Sequence, residues 1–412
     1  MNWELSAAPY LPIHRRRVWR RRLLVVLAVA AIAVPAVLYR QHLLAEPVGA
    51  RVFDDVASSV STAYYDPTFH GLHWTAIERR YRPLVIDAPD PSARYAALRA
   101  MLAALGDSHT MAYSPLEVGS VERRADVGVS GALILPIGGR AVVAAVAEHS
   151  PAARAGLRRG DIVLAAQNDV GPPGALRHFT VRDPLTGRVR TATLKLAPSM
   201  AVDDPRGPEV DWNVVARGVG YLRIQSFPEA IDEVLGWAMQ EIGDQPALVL
   251  DLRSNPGGML DAVDATAGVF LPKGTLVVSG WRRVRWFGPQ RFTADDVAKS
   301  NYHGALVVLV DASSESGAET LAAALQAYGR ARIIGARTAG KVMGVDLEEP
   351  LPDGGLLRVA TLDMVAPNGV RLEGRGVTPD IMVTRTASDI ARGVDPQLRA
   401  AIALAEREIG TR

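Results

Sequence analysis

The sequence contains no cysteine among its 412 residues. Disulfide bonds, thiolate zinc sites and a cysteine nucleophile are therefore excluded. Aromatic residues are also sparse, at 6%, and the charges nearly cancel, with 46 Lys and Arg against 44 Asp and Glu. A net charge of +2 is too small to indicate a basic surface that binds nucleic acid. The 48% hydrophobic content is instead ample for packed cores in a chain of roughly two to four domains.

Lysine is scarce as well. The chain has only four lysines, Lys195, Lys273, Lys299 and Lys341, against 42 arginines. Because arginine does not give up its proton at working pH, a site that needs a neutral amine as base must use one of these four.

The N-terminal region carries two arginine triplets, 15–17 and 20–22, followed by an uncharged apolar run over 23–39. At about 1.5 Å per residue such a run reaches roughly 25 Å, the short end of a membrane span. We therefore predict a cytoplasmic basic tail over 1–22 and an uncleaved, single-pass signal anchor over 23–39 in the inner (cytoplasmic) membrane. Everything after the anchor is then exported to the periplasm or an equivalent space. A cleaved signal peptide is the alternative.

Composition and periodicity divide the rest of the chain into four predicted parts. Helical spacing of apolar residues, such as Val52, Val56 and Val60, indicates a small helical domain over 50–118. Short strands punctuated by Gly and Pro indicate a β domain over 125–200. Alternating strands and helices predict an α/β core with a covered sheet over 212–388, followed by a C-terminal helix over 393–411.

The helical domain ends in the segment Leu-Gly-Asp-Ser-His-Thr, residues 105–110. Three adjacent residues cannot point at one reacting atom as a catalytic triad must. We therefore interpret Asp107 and Ser108 as turn and cap residues and His109 as a structural histidine.

The β domain resembles a PDZ domain in the order Ser-Pro-Ala-Ala-Arg-Ala-Gly-Leu-Arg-Arg-Gly-Asp-Ile-Val, residues 150–163. The resemblance places the carboxylate-binding loop and its strand at Gly131, Ala132, Leu133 and Ile134. Such a loop presents backbone N–H groups to a C-terminal carboxylate while the peptide adds as an edge strand.

Two segments of the predicted core could carry chemistry. In the first, a buried strand ending at Asp251 runs into the turn Asn255-Pro-Gly-Gly258 at the start of a helix. Exposed N–H groups there could hold an oxyanion, since glycine permits close approach and a helix N-terminus favours negative charge. An ordinary strand-to-helix turn is the alternative.

The second segment is Asp311-Ala-Ser-Ser-Glu-Ser-Gly-Ala-Glu319, between a strand and a helix. Ser316 with Glu319 forms a capping box, and the N–H of Gly317 beside it could stabilise an oxyanion. Ser313 and Ser314 are the rival nucleophiles. Lys341 follows 25 residues after Ser316. If it is buried among Ala339, Val342 and Met343, its pKa falls and its neutral amine can take the serine proton.

Together these motifs resemble the carboxyl-terminal processing peptidases, tail-specific serine proteases of family S41. The resemblance covers nearly everything after residue 50 and includes Glu373-Gly-Arg-Gly-Val-Thr-Pro-Asp380. It implies a ClpP/crotonase-like core, Ser316 as nucleophile and Lys341 as base. Oxyanion donors would be Gly317 and one of Gly257 and Gly258, with Gly258 favoured.

The resemblance further implies acyl transfer without a metal or cofactor, and unstructured protein or peptide C-termini as substrates. The sequence departs from the family pattern at several positions. Val345 stands where many members have a glutamine that supports the lysine, Ala327 stands where some have an acidic residue, Val342 follows the lysine in place of glycine, and Gly317-Ala318 stands where Ala-Ser is usual. A catalytically weak or inactive PDZ-type peptide-binding scaffold is therefore the alternative function. An acyl-CoA hydrolase or isomerase is a third possibility on fold alone.

Overall fold

A computed structural model describes residues 47–122, 125–295 and 301–410. No helix within these ranges is both long and apolar enough to cross a membrane. The predicted basic tail, 1–22, and the predicted anchor, 23–39, lie outside the described residues.

The first part of the fold is helical. Its helices bury one apolar face each, which includes Val52, Val56 and Val60 in the first of them, and Asp90 caps the third by accepting from the N–H of Ala93 at 2.8 Å. A short strand follows the predicted turn at 105–110. The elements are α1 Val48–Ala63, α2 Trp74–Ile86, α3 Pro91–Leu102 and β1 Met111–Tyr113.

The second part is the PDZ-like unit, built from one five-stranded and one three-stranded sheet. Their orders are β3-β4-β5-β7-β8 and β6-β2-β9, so β3 is an edge strand. The elements are α4 Pro115–Val121, β2 Gly128–Val129, β3 Ala132–Ile137, β4 Arg140–Val146, α5 Pro151–Arg154, β5 Ile162–Ala166, β6 Val170–Gly171, β7 Leu176–Arg182, β8 Val189–Lys195 and β9 Ala197–Pro198.

The third part is the α/β core, whose central sheet has the order β10-β11-β12-β15-β16-β21. It is parallel except for the β10–β11 pair. Its elements are β10 Val210–Ala216, β11 Val219–Ile224, α6 Ile231–Ile242, β12 Ala247–Asp251, α7 Leu260–Phe270, β13 Leu276–Trp281, β14 Gln290–Thr293, β15 Ala305–Val310, α8 Gly317–Ala327, β16 Arg332–Gly335, β17 Met343–Gly344, β18 Leu347–Pro350, β19 Leu356–Val359, β20 Leu362–Val365, β21 Ile381–Met382, α9 Ala387–Arg392 and α10 Pro396–Ile409.

The central sheet is covered on both faces, as predicted. Every residue of β12 and β15 is buried. Leu248 and Leu250 pack with α6, α7 and α8, whereas the intervening Val249 packs with Ala401 and Ala405 of α10. Alternate side chains of one strand thus serve two cores, which explains why the sequence of β12 is continuously apolar. The predicted fold class is confirmed.

A small sheet joins the helical part to the core. Strand β1 pairs antiparallel with β19, with Ala112 opposite Leu357, and β19 also pairs with β18. The two parts share a core in which Leu98 and Tyr95 pack with Leu357 and Val359. This joint holds the 105–110 turn against the core, close to the β17 and β20 strands of a further four-stranded sheet, β14-β13-β20-β17.

Candidate active site

Ser316 stands where the buried strand β15 gives way to helix α8. It has φ +52°, a left-handed conformation that is costly for a residue with a side chain and clusters at functional sites. Its N–H donates to the carbonyl of Lys341 at 2.9 Å, and the N–H of the preceding Glu315 donates to the carbonyl of Asn255 at 2.8 Å. These bonds fix the serine between Lys341 and the Asn255–Gly258 turn.

Two backbone donors beside Ser316 are free to hold an oxyanion. Within the described ranges the N–H groups of Gly258 and Gly317 donate to no protein group. The N–H of Gly257, in contrast, donates to Asn255 Oδ1 at 2.7 Å. The expectation that Gly257 could be the donor is therefore wrong, because the asparagine side chain occupies its hydrogen.

Gly257 has a different task, which is to leave room for the nucleophile. A Cβ on this residue would lie 2.7 Å from the Cβ of Ser316 and 2.9 Å from the nitrogen of Gly317. Its φ of +94° also disfavours any side chain. Only glycine lets the turn lie against the serine.

Replacing Gly257 with alanine should therefore lower catalytic efficiency by about 100-fold or more, the usual scale for disturbing an oxyanion site. The matched control is Gly369→Ala, where φ is +80° but no atom lies within 4 Å of the new Cβ. Both variants carry backbone strain and only the first displaces Ser316. Equal losses of peptide cleavage in both would show that strain alone is responsible.

Lys341 lies close to Ser316 in the backbone, but its amine is engaged elsewhere. Its Nζ donates to Glu315 Oε1 at 2.7 Å, and 48% of its side chain is exposed. The expectation of a lysine buried among Ala339, Val342 and Met343 is wrong. The ion pair with Glu315, the residue just before the serine, holds the amine at the exposed side of this segment.

Glu319 holds the serine and the lysine loop together. Its carboxylate is fully buried and accepts from the N–H groups of Ser316, Gly340 and Lys341 at 3.2, 2.8 and 2.9 Å, and from the hydroxyl of Thr338. Burial raises the pKa of Glu319, while these hydrogen bonds oppose the rise. Glu319, which the sequence predicts as a capping residue, therefore also links α8 to the loop 338–341 through its hydrogen bonds.

Glu319→Gln should destabilise the fold by about 2–3 kcal/mol, because the amide nitrogen would face N–H donors and leave a buried donor unpaired. Glu315→Gln is the matched control on the exposed side of the same helix end, and it should cost under about 1 kcal/mol. Urea denaturation measures both values. Equal free energies of unfolding for the two variants would contradict the linking role of the Glu319 carboxylate.

His109 lines the same pocket as Ser316, a cavity of about 430 Å³. The pairing of β1 with β19 brings it there from the helical part of the chain. Asp107 is the turn residue that sequence analysis expected, since its Oδ1 accepts from the N–H groups of His109 and Thr110 at 2.8 and 2.6 Å. His109 thus lines the cavity of Ser316, a position that its interpretation as a structural histidine did not anticipate.

Ser108 and Glu373 orient the imidazole. Ser108 Oγ lies 2.7 Å from His109 Nδ1 and donates to Glu373 Oε2 at 2.9 Å. Because a hydroxyl has one hydrogen and the carboxylate accepts it, Ser108 Oγ accepts from His109 Nδ1–H. That tautomer leaves Nε2 with a free lone pair.

Glu373 also ties this arrangement to the lysine loop. Its Oε1 accepts from the N–H of Ser108 at 2.8 Å and its Oε2 from the N–H of Val342 at 2.7 Å. Both motifs, 105–110 and 373–380, are recognisable in the sequence, but nothing in the sequence links them. Their signal was the adjacency of an aspartate, a serine and a histidine in a turn.

Burial lowers the pKa of His109 from 6.5 to about 4. The charge of Asp107 opposes the shift, and those of Lys341 and Arg358 add to it. At neutral pH the imidazole is therefore uncharged, which is the state a general base requires.

The rest of the pocket wall is mainly apolar, with charged groups among its lining residues. Apolar side chains come from the start of α7, from β14 and β20, and from the segment after Lys341; they are Met259, Leu260, Phe292, Met364, Val342, Met343 and Val345. Asp261, Asp346, Glu348 and Arg358 supply the charges. Across the described ranges, no group of three or more histidine and acidic residues is placed to hold a metal ion.

The predicted PDZ-like loop lies apart from this pocket. Gly131 has φ +78° and backs onto Ser150, where a Cβ would lie 2.4 Å from that side chain. Ala132, Leu133 and Ile134 form the start of the edge strand β3. None of the four lines the pocket of Ser316, so any peptide held by the loop must extend to reach the serine.

Three family models match successive parts of the chain. They are the Tricorn protease C1 domain over 50–103, a PDZ domain over 142–167 and Peptidase family S41 over 218–383. These segments fall in the helical, PDZ-like and α/β parts of the fold.

Curated relatives match along most of the chain. A carboxyl-terminal-processing protease of Synechocystis sp. is 28% identical over 369 residues, covering 84% of both chains. A carboxy-terminal-processing protease of Bartonella bacilliformis is also 28% identical, over 363 residues, covering 83% of this chain and 82% of the other. Among solved structures, the photosystem II D1 C-terminal processing protease superposes with a TM-score of 0.60 at 24% identity, covering 85% of this chain and 99% of that one, which shows a shared fold.

Proposed function

Since the chain is a relative of the carboxyl-terminal processing peptidases of family S41, we propose that it is a serine endopeptidase that cleaves protein substrates near or from their C-terminal tails. One observation carries the proposal. Ser316 stands at the N-terminus of α8 with the unpaired N–H groups of Gly317 and Gly258 beside it. That is the arrangement that acyl transfer needs, a nucleophile next to donors for the oxyanion.

His109 is the general base of the proposed mechanism. Its Nε2 takes the proton of Ser316 as the oxygen attacks a peptide carbonyl, and the two N–H groups hold the resulting oxyanion. The imidazolium then gives its proton to the leaving amine, and water, activated in the same way, releases the acyl group from Ser316. Ser108 and Glu373 support this role, since their hydrogen bonds hold the tautomer with Nε2 free.

The Ser-Lys dyad of the sequence prediction is the second candidate mechanism. It requires the amine of Lys341 to leave Glu315, lose its proton and turn toward Ser316. The 25-residue spacing between serine and lysine favours it, while Val345 in place of glutamine and the ion pair with Glu315 favour the histidine.

The substrate class follows from the pocket and from the PDZ-like unit. Apolar walls beside Ser316 favour an apolar side chain next to the scissile bond, and a PDZ-like unit suits a free C-terminus. The test is incubation of the full chain with an unstructured peptide that ends in apolar residues, followed by mass spectrometry. Internal cleavage supports the proposal. Binding without cleavage would favour the peptide-binding scaffold instead.

We also propose that the catalytic part works outside the cytoplasm, tethered to the inner membrane. This rests on the sequence alone, on the six arginines before the apolar run 23–39. Fusing alkaline phosphatase after residue 46 tests it. Phosphatase activity in membrane fractions is the expected result, and activity only in the soluble fraction would point to a cleaved signal peptide.

A further inference from the structure

A second cavity, also of about 430 Å³, lies between the PDZ-like unit and the α/β core. On one side its wall is formed by β3 and β4, through Leu133, Leu135 and Val146. On the other side are residues of β11, the end of β12 and the segment around Arg385. We call this cavity the interdomain cleft.

The cleft is rich in arginine. Five arginines line it, Arg159, Arg206, Arg223, Arg253 and Arg385, against two carboxylates, Asp251 and Asp395. Both carboxylates are already bound by one of the five. Arg253 is buried, its Nε donates to Asp251 Oδ1 at 2.9 Å, and its Nη1 donates to Asp395 Oδ2 at 2.8 Å. The carboxylates of Asp251 and Asp395 are therefore both hydrogen-bonded to Arg253.

The other arginines have little or no anionic partner in the cleft. Arg206 pairs with Asp204, which lies outside the lining. Arg223 donates only to a carbonyl, that of Arg206, at 3.5 Å. In the part of the chain that the structure describes, Arg159 and Arg385 form no hydrogen bond or ion pair.

Of these arginines, Arg385 gives the strongest indication that an anionic partner is missing. Its Nε is fully buried yet has no hydrogen-bond partner. Burial lowers the pKa of Arg385, and the positive charges of Arg253 and Arg159 lower it further, while Asp395 acts in the opposite direction. A buried donor on a charged group without a partner is costly. An anion in the cleft would remove that cost.

We propose that the interdomain cleft binds a carboxylate or phosphate group between Arg159, Arg223 and Arg385. Guanidinium groups match the planar or tetrahedral oxygens of such anions through paired hydrogen bonds. Arg159 belongs to the PDZ-like unit, and the other two belong to the core. A bound anion therefore bridges the two units and fixes the PDZ-like sheet on the core.

The cleft also adjoins the catalytic machinery. Its lining includes Ser254, the residue before the Asn255–Gly258 turn, and the N–H of Ser254 donates to Asp311 Oδ1 at 2.9 Å. Asp311 begins the segment that carries Ser316. An anion held in the cleft thus occupies a cavity whose lining includes Ser254, the residue before the oxyanion turn.

The first experiment uses inorganic phosphate as the probe. The melting temperature of the full chain is measured with phosphate and with chloride at equal ionic strength. Phosphate should raise it more, and Arg385→Met or Arg159→Met should each remove the difference. The matched control is Arg188→Met, an exposed arginine outside the cleft, which should keep it. No phosphate effect in wild type, or an equal effect in all variants, would overturn the proposal.

The second experiment identifies the source of the anion. The tail carboxylate as source rests on the proposed function, so binding is measured in the full chain with Ser316→Ala, which does not depend on turnover. If the source is a substrate tail, a labelled peptide with a free carboxylate binds at least about tenfold tighter than its C-terminal amide, and phosphate displaces it. If free phosphate is the occupant, both peptides bind equally and only the phosphate effect persists. If the wild-type chain did not cleave the peptide but kept the phosphate effect, the peptidase would be contradicted and the anion site would stand.

Discussion

Replacing Ser316 with alanine is expected to lower kcat/KM for an unstructured peptide by at least about 10³-fold, and by up to about 10⁶-fold. The physical reason is that alanine removes the hydroxyl that stands beside the unpaired N–H groups of Gly317 and Gly258. Without a nucleophile no acyl-enzyme forms, although the donors and the pocket remain. Initial rates from a fluorescence-quenched peptide give the measurement.

Ser313→Ala is the matched control, in the same segment and also partly exposed. Its activity should stay within about twofold of wild type, the scale of a neutral surface change. Ser314 is the poorer control, because its buried hydroxyl donates to the carbonyl of Leu252 at 2.8 Å and its loss would disturb the fold. If Ser313→Ala abolished cleavage and Ser316→Ala did not, the nucleophile would be misassigned.

Replacing His109 with asparagine should reduce kcat by about 10³-fold or more with little change in KM. Asparagine can still donate to Ser108 Oγ, so the turn and its link to Glu373 survive. It has no basic nitrogen, so Ser316 keeps its proton during attack. Steady-state kinetics on the same peptide separate kcat from KM.

Lys341→Met is the informative companion variant. Methionine keeps much of the side-chain length and removes only the amine, which pairs with Glu315 at the surface. Activity should fall by less than about tenfold, since an exposed ion pair contributes under about 1 kcal/mol. The opposite pattern, with Lys341→Met inactive and His109→Asn active, would restore the Ser-Lys dyad.

Much of the fold follows from local pattern. The uninterrupted apolar run of β12 signalled a strand buried on both faces, and Gly and Pro separated the strands of the PDZ-like unit. The helix predicted to start after the Asn255-Pro-Gly-Gly258 turn is α7, Leu260–Phe270. The pairing of strands that are distant in the chain could not be predicted from the sequence. Nothing local indicates that Met111–Tyr113 joins Leu356–Val359, because that register is set by a core shared across the chain.

The part of the active site that depends on backbone geometry could be predicted from the sequence. A serine opening a helix after a buried strand is enough to place Ser316 beside free N–H groups. The choice between Gly257 and Gly258 depends on the side chain of Asn255, and the direction of Lys341 depends on the charge of Glu315. His109 needed the β1–β19 pairing to reach the pocket. The positions of Lys341 and His109 are tertiary outcomes that spacing along the chain could not reveal, whereas the bond between Asn255 and Gly257 joins residues only two apart.

The most direct test of the account is the pH dependence of Ser316 phosphonylation by a fluorophosphonate probe, in wild type, His109→Asn and Lys341→Met. The lowered pKa of His109, about 4, keeps the imidazole neutral and competent above that pH and protonates it below. Wild type and Lys341→Met should therefore react at a nearly constant rate from pH 6 to 8 and lose reactivity toward pH 4, while His109→Asn reacts slowly throughout. A wild-type rate that climbs through alkaline pH and disappears in Lys341→Met would contradict the assignment of His109 as the general base.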